Sequence, residues 1–286
     1  MDLLKQLILL KEEEISAEKK SAQIDDLFAR IAKDCGPFLD LKIKTPLYRG
    51  VDESLLQLSE FSKKRTHRTD RMPRDSAPFF VFMFNTMCEA ATGFANVRER
   101  SLYCTPNKIA AADYGTVAYL IPAGEIKIFW SPKIADSTGE GPFIFNKLMK
   151  AFETNLPNSV DLGWSAIDYI RDIFTMLARK FTPTDFVRGS PDVRKEFARL
   201  IARNPEMAKV FEESGEDEVF NSLLLSLQDL ADGLKYNLGD AAALKTAAKS
   251  QKAEIAIVES SGYYVLPAAA IKTEYSEMMK KIKSLA

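Results

Sequence analysis

The chain has 286 residues, with 39 Lys and Arg balanced by 40 Asp and Glu, so its formal net charge is −1. This balance is typical of an ordinary globular protein and argues against a dedicated polyanion binder. One histidine and three widely spaced cysteines exclude zinc sites that need two or more histidines, and they predict reduced thiols rather than a disulfide framework or a metal site.

Hydrophobic spacing and turn residues predict the elements in chain order. Up to residue 130 they are a helix over 2–33, a strand at 47–50, a helix over 53–62, a basic loop from Lys63 to Ser76, a helix over 78–92, a strand at 101–105, a short helix over 106–113, and strands at 116–121 and 125–130. We expect the last two strands to pair with each other around the turn Pro122-Ala123-Gly124.

The second half begins with a helical pattern and returns to strands. Helices are predicted over 143–154, 164–180, 191–203, 205–213 and 217–230, then a flexible stretch over 233–251, strands at 252–258 and 263–266, and a helix over 270–284. The order indicates an α+β protein. We divide it into an N-terminal helical segment, 1–40, and one domain, 41–286, that contains a helical block at about 143–231.

The N-terminus shows no basic segment leading into an apolar stretch and a cleavage site, so no secretory signal is predicted. The apolar run Leu3–Leu10 is too short to span a bilayer. We therefore expect no membrane partner and a cytoplasmic location.

Arg49 is the first candidate for chemistry. It ends a short apolar strand, and its guanidinium has the geometry to hold a phosphate or a carboxylate in a forked pair. Gly50 follows it and leaves room for a ligand to approach the backbone. The alternative is an ordinary arginine that pairs with a nearby acid.

Two further candidates lie at strand ends. Thr105 ends a strand that turns into a short helix, where a hydroxyl and a helix N-terminus meet; its simpler role is to cap that helix. Glu254 begins a late apolar strand, where a carboxylate is placed to stabilise an oxocarbenium ion, as in glycosyl transfer. Its simpler interpretation is a solvated glutamate.

The basic loop is the fourth candidate. It holds six basic residues between Lys63 and Arg74, and Arg68, Arg71 and Arg74 are spaced by three, so they would line one edge if the loop turns helically. It also contains the only histidine, His67. Nucleic-acid or phosphate binding is one interpretation, and a solvated run of charge is the other.

Taken in order, Arg49, the segment Tyr103–Pro106 and Glu254 resemble the motifs of ADP-ribosyltransferases of the Arg–Ser–Glu class. The chain is similar in particular to phage-encoded proteins of this fold, over about 41–135 and 233–270. The shared pattern comprises Arg71–Asp75, Arg100-Ser101, Tyr114-Gly115, Pro122–Gly124, Trp130–Pro132, Glu254–Ile257 and Tyr263-Tyr264.

The resemblance implies a split β-sandwich core, with the N-terminal helix and the helical block added to it, and NAD as substrate. Arg49 would hold a phosphate or ribose of NAD, Thr105 would support the nicotinamide ribose, and Glu254 would stabilise the transition state. It also implies NAD contacts for Gly50, Arg74 and Tyr114.

Three positions differ from the family. Cys104 and Pro106 replace both serines of the Ser-Thr-Ser motif, which bears on how Glu254 is positioned. Lys252 occupies a position associated with the choice of acceptor.

The expected activity is therefore transfer of a single ADP-ribose from NAD to a protein or nucleic acid, without a metal. The alternatives are a non-enzymatic nucleic-acid-binding or virion-associated protein that uses the Lys63–Arg74 loop, and a hydrolase centred on His67, for which the sequence offers no Gly-x-Ser-x-Gly motif.

Overall fold

The computed structural model describes residues 17–69, 76–137, 139–157, 162–250, 253–271 and 274–286. It is a mixed α and β protein with two antiparallel sheets, which confirms the predicted mixture of helices and strands. Within the described ranges, no helix combines the length and the apolar composition that a membrane crossing requires.

Helices and strands follow the predicted order through most of the chain. The helices are α1 Ala17–Asp34, α2 Gly36–Asp40, α3 Leu58–Phe61, α4 Pro78–Thr92, α5 Val97–Arg100, α6 Lys108–Ala112, α7 Gly141–Asn155, α8 Trp164–Leu177, α9 Pro183–Val187, α10 Pro191–Ile201, α11 Pro205–Ser214, α12 Glu216–Leu234, α13 Ala241–Ala247 and α14 Tyr275–Ser284, with a 3₁₀ turn at Glu53–Leu56. The strands are β1 Tyr48–Val51, β2 Leu102–Cys104, β3 Thr116–Ala123, β4 Lys127–Trp130, β5 Asn237–Asp240, β6 Ile255–Glu259 and β7 Gly262–Pro267.

The chain divides into two compact units. Unit 1 comprises the described residues within Met1–Thr69, Ser101–Pro132 and Leu238–Ala286, and unit 2 those within Asp70–Arg100 and Lys133–Asn237. The boundary that we predicted at residue 40 falls inside unit 1, where Phe38 and Leu39 are part of the core. The predicted helical block lies in unit 2, together with α4 and α5.

Unit 1 contains both sheets. The three-stranded sheet has the order β1-β3-β7, and the four-stranded sheet has the order β2-β6-β4-β5. A single antiparallel bridge joins β1 to the end of β2: the N–H of Tyr48 donates to the carbonyl of Thr105 (2.7 Å), and the N–H of Thr105 donates to the carbonyl of Tyr48 (2.9 Å). This bridge therefore links the two sheets.

The predicted pairing of β3 with β4 is wrong. β3 pairs with β1 and β7, whereas β4 belongs to the other sheet. At the turn between them, the N–H of Gly124 donates to the carbonyl of Asp34 at the end of α1 (3.0 Å) instead of closing a hairpin. Both strands are buried over most of their length. Their sequences therefore lack the alternation of polar and apolar residues that would indicate which strands pair.

The stretch 233–251, predicted to be flexible, contains the end of α12, strand β5 and helix α13. Asp240 caps α13, because its carboxylate accepts from the N–H groups of Ala242 and Ala243. Leu244 and Ala247 on this helix are buried in the core of unit 1. The alanine-rich composition, read as a loop, is instead that of a short helix with a strong cap.

Unit 2 is helical and has an aromatic core. Phe186 on α9 is fully buried and its ring lies 5.0–6.5 Å from those of Phe82, Phe174, Phe197 and Phe220. These rings come from α4, α8, α10 and α12, so this one side chain contacts four helices. Helix α9, which is five residues long, was not predicted.

Candidate functional site

Arg49 lies on β1 next to the bridge between the sheets. Its strand pairs with β3, which places Arg49 opposite Ala118, and the residue is half-buried. The guanidinium Nη1 donates a 2.6 Å hydrogen bond to the carbonyl oxygen of Tyr103 on β2. A charged donor makes a stronger bond than a neutral one, so this contact fixes the arginine head at the edge of β2.

Gly50, the next residue, is held against helix α6. A Cβ atom at this position would lie 2.5 Å from the carbonyl oxygen of Ala111 and 2.5 Å from the carbonyl carbon of Tyr114. Only glycine fits at position 50, because the backbone of Ala111 and Tyr114 lies so close to it. The same backbone fills the space beside Gly50 that the sequence analysis assigns to a ligand. The same packing holds Tyr114, which is 57% exposed, beside β1.

Thr105 is bound to β1 through its backbone, but it does not cap the following helix, which was the simpler of the two roles considered for it. Asn107 is the N-cap of α6, and its side chain accepts from the N–H groups of Ile109 (2.9 Å) and Ala110 (3.3 Å). The hydroxyl of Thr105 accepts from the N–H of Asn107 (3.1 Å) and so shapes the turn before the helix. Asparagine is as good a cap as threonine, so the sequence alone did not distinguish them.

Glu254 is half-buried and directly precedes β6. Ile255, the first residue of that strand, pairs with Cys104 of β2 on one side and with Trp130 of β4 on the other. Cys104, Ile255 and Trp130 all belong to the core of unit 1. Because successive side chains alternate between faces, Glu254 begins the opposite face of the four-stranded sheet.

The electrostatics of Cys104 link the arginine and the glutamate. Burial raises the pKa of the Cys104 thiol to about 12; the positive charge of Arg49 acts to lower that pKa, and the negative charge of Glu254 acts to raise it. Both charges therefore act on one buried atom, although Arg49 and Glu254 are 205 positions apart in the sequence. The thiol is neutral at physiological pH and serves as an apolar packing group.

His67 lies elsewhere in unit 1. Its Nδ1 is 2.9 Å from the hydroxyl of Ser260, which follows the far end of β6. The length of β6, roughly 16 Å, separates that end from Glu254. The histidine therefore does not join the group formed around Arg49. Arg74 and Lys252 lie outside the described residues.

The described part of the basic loop is tied to unit 1. Lys63 and Arg65 both pair with Glu60 (2.6 and 3.8 Å), and Lys64 pairs with Asp34 (3.3 Å). The backbone of Arg65 also exchanges two hydrogen bonds with Tyr263 at the edge of β7. Part of the charge that predicted a nucleic-acid contact is thus balanced locally. Arg71, like Arg74, is not among the described residues.

The sequence did not reveal the backbone carbonyl of Tyr103, which holds Arg49, because any residue type offers that acceptor.

The group of residues at the bridge can bind an anion beside a carboxylate. It offers a guanidinium, a glutamate, a hydroxyl and an exposed tyrosine ring from four separate segments of unit 1. In the described part of the chain, no group of three or more His, Cys, Asp or Glu residues could hold a metal ion. All three cysteines are free and buried.

No protein-family model, no curated protein and no solved structure matches the chain.

Proposed function

We propose that unit 1 is an NAD-dependent mono-ADP-ribosyltransferase of the Arg–Ser–Glu class, built on a split β-sandwich. One observation carries the proposal: Arg49, Thr105 and Glu254, which the sequence separates widely, come from three segments around the bridge that links the two sheets. Arg49 lies on β1 next to Tyr48 of the bridge, Thr105 follows β2, and Glu254 precedes β6. The electrostatic effect of both Arg49 and Glu254 on the Cys104 thiol supports the same grouping.

The donor set at the bridge fits NAD. NAD carries a pyrophosphate, two riboses and two flat bases, which suit a guanidinium, hydroxyl-binding groups and an aromatic ring. Arg49 is held by Tyr103 at the edge of β2, where its guanidinium would bind a phosphate or ribose of NAD. The exposed ring of Tyr114 would stack on the nicotinamide. The proposed NAD-binding residues are Arg49, Arg74, Thr105 and Tyr114, and Gly50 would act through the close packing of Tyr114 beside β1.

In the proposed reaction the bond between the ribose anomeric carbon and the nicotinamide nitrogen breaks. The electron pair leaves with nicotinamide, which becomes neutral, and positive charge develops on the ribose. Glu254 stabilises that charge through its carboxylate. A nucleophile of the acceptor then forms the new bond to the anomeric carbon and releases its proton to solvent.

The acceptor in this proposal is a macromolecule, either protein or nucleic acid, and the setting is the cytoplasm, that of the host cell if the chain is phage-encoded. The Lys63–Arg74 loop would supply a nucleic-acid contact. The alternative to the proposed transferase is a nucleic-acid-binding or virion-associated protein without enzymatic activity. Such a protein would bind DNA or RNA with an affinity that falls steeply as the salt concentration rises, and NAD would not change its melting temperature.

The test uses labelled NAD with a host extract, and Glu254→Gln beside Glu259→Gln. Glu259 ends the same strand, is partly exposed and pairs with Lys127 (3.0 Å), so its substitution is the matched control. We expect Glu254→Gln to lower nicotinamide release at least about 100-fold, because the developing charge loses its carboxylate. Glu259→Gln should stay close to wild type.

Binding is measured separately by the rise in melting temperature with NAD. We expect both variants to keep that rise, since the lost interaction acts in the transition state rather than in the bound substrate. Equal activities of wild type and Glu254→Gln, or an absence of both NAD cleavage and NAD binding in wild type, would contradict the proposal.

A further inference from the structure

A surface groove lies between α10 and α12 of unit 2. It encloses about 450 Å³, and each of the two helices forms one of its walls. The α10 wall carries the cations Lys195 and Arg199, with Ala198 and Ala202 beside them, and the α12 wall carries Glu216. Residues four apart on a helix share one face, so the two cations and the two alanines follow the groove together.

The α10 wall keeps an excess of positive charge. Arg199 pairs with Glu196 (2.7 Å), but Lys180 pairs with the same carboxylate oxygen (2.5 Å), so one of these two cations is left unbalanced. Lys195 is exposed, and within the described ranges it forms no ion pair. This side of the groove therefore attracts negative charge from outside the chain.

The α12 wall continues into an acidic turn and has the opposite excess. The segment Glu212–Glu218 holds five acidic side chains, and two cations, Arg194 and Lys209, pair with two of them (2.8 and 3.9 Å). The other three, which include Glu216 of the groove, have no basic partner among the residues that the structure describes. No ion pair joins Lys195 to Glu216 across the groove, so the two walls do not neutralise each other.

This charge pattern is complementary to itself. If a second copy is rotated by 180° about an axis that runs along the groove, its α12 side faces the α10 side of the first copy, and the same contact occurs twice. A small-molecule site is lined mostly by hydrophobic and aromatic groups, whereas this groove is lined mostly by charged ones. A nucleic acid would be repelled by the acidic wall. A second copy of this chain is therefore the partner that suits both walls.

We propose that the groove between α10 and α12 is the contact surface of a homodimer, in which Lys195 of each copy faces Glu216 of the other. Helix α10 has 11 residues, so the contact is about 16 Å long. A contact of this size suits weak, reversible association, with a dissociation constant of about 10–100 µM, rather than an obligate dimer. The dimer is independent of the NAD-dependent activity proposed for unit 1.

The first measurement is sedimentation equilibrium of the full chain at concentrations up to about 500 µM, where a dimer of this affinity predominates. Raising NaCl from about 0.1 to about 1 M shortens the screening length from about 10 to about 3 Å, so we expect the dissociation constant to rise at least about 10-fold. A chain that is monomeric at every concentration would overturn the proposal.

The second measurement reverses one charge on each wall. We expect Lys195→Glu and Glu216→Lys each to raise the dissociation constant about 10-fold or more, because like charges then face each other twice in a symmetric dimer. Lys150→Glu on α7 and Asp172→Lys on α8 are the matched controls: both positions are exposed, lie outside the groove and give the same changes in net charge. They should leave association unchanged.

An equimolar mixture of Lys195→Glu and Glu216→Lys is the decisive test. In a heterodimer the two reversed charges face each other and the two unchanged charges face each other, so both contacts are attractive again. We expect a dissociation constant within about threefold of the wild-type value. A mixture that associates no better than either variant alone would contradict the proposal. Reversals that leave a dimer of wild-type strength would assign that dimer to another face and overturn it as well.

Discussion

Arginines in the two units are used in different ways. In unit 2, Arg194 donates to the carbonyl of Gly189 (3.1 Å), to Asp217 (2.8 Å) and to Asn221 (3.0 Å), and its guanidinium lies 4.5 Å from the centre of the Phe220 ring. These contacts tie α10 to α12 and to the turn before α10. The guanidinium of Arg194 thus makes all of these contacts with α12 and with the turn before α10.

Arg98 of unit 2 is enclosed as well. It is 6% exposed, donates to Ser76 and Ser137 (2.6 Å each), and lies against the rings of Phe80 and Phe84. Arg49 of unit 1 is only half-buried, and its 2.6 Å bond to Tyr103 anchors it beside the bridge between two sheets. Residue type alone does not distinguish an arginine enclosed among helices from one that lies beside a bridge between strands; the elements that converge on it do.

The largest expected effect tests the aromatic core of unit 2. Phe186→Ala removes a fully buried ring that contacts four helices, and we expect the free energy of unfolding to fall by about 3–5 kcal/mol. Urea unfolding measures it. Phe143→Ala, on α7 of the same unit, is the control, because that ring is 50% exposed and should change stability by less than about 1 kcal/mol. Equal effects of the two changes would mean that the cluster around Phe186 does not hold unit 2 together.

A smaller loss of stability is expected for a substitution at Gly50, which lies beside the candidate site of unit 1. Gly50→Ala would place a Cβ 2.5 Å from backbone atoms of Ala111 and Tyr114, which cannot move as a flexible side chain does. We expect a loss of about 1–3 kcal/mol in urea unfolding, together with weaker binding of NAD, since α6 must shift away from β1. Gly36→Ala is the control: nothing lies within 4 Å of its Cβ position and its φ is ordinary. A neutral Gly50→Ala would show that α6 is not fixed against β1.

Elements with a strong local pattern were predicted from the sequence, and the pairing of strands was not. Helix α4 was predicted with the bounds that the structure has, because an apolar run lies between Pro78 and Gly93. The partners of β3 and β4 depend on contacts between distant segments, and their sequences are apolar on both faces, so either pairing satisfied the pattern. Helix α13 was overlooked because its alanines were read as a loop.

The same division applies to the candidate site. Arg49 was selected because it ends a predicted apolar strand and Glu254 because it begins one, and the structure brings both near Cys104. The carbonyl of Tyr103 and the packing of Tyr114 on Gly50 depend on backbone geometry, which residue types do not encode one by one. The proposed activity stays a prediction that the NAD experiments test.

The smallest expected effect concerns a polar group that links α1 to β7 in unit 1. The hydroxyl of Tyr264 donates to Asp34 (2.8 Å), and Lys64 pairs with the same carboxylate oxygen (3.3 Å). Burial acts to raise the pKa of Asp34, but the hydrogen bonds from Tyr264 and Lys64 outweigh it and hold that pKa below its ordinary value of 3.8. The group is the counterpart in unit 1 of the network around Arg194, with a carboxylate at its centre.

A carboxyl whose pKa is lowered in the folded protein stabilises the fold above its ordinary pKa, and that stability is lost as the pH falls through the lowered value. Tyr264→Phe should therefore reduce the free energy of unfolding by about 1–2 kcal/mol at pH 7, and the difference from wild type should narrow below about pH 4 as Asp34 becomes protonated. Urea unfolding at a series of pH values measures both. Tyr119→Phe is the control, since the ring of Tyr119 on β3 packs against Tyr48 and Tyr275. A difference for Tyr264→Phe that stays constant from pH 7 to pH 3 would assign its effect to packing, because the ionised Asp34 would then contribute nothing through this bond.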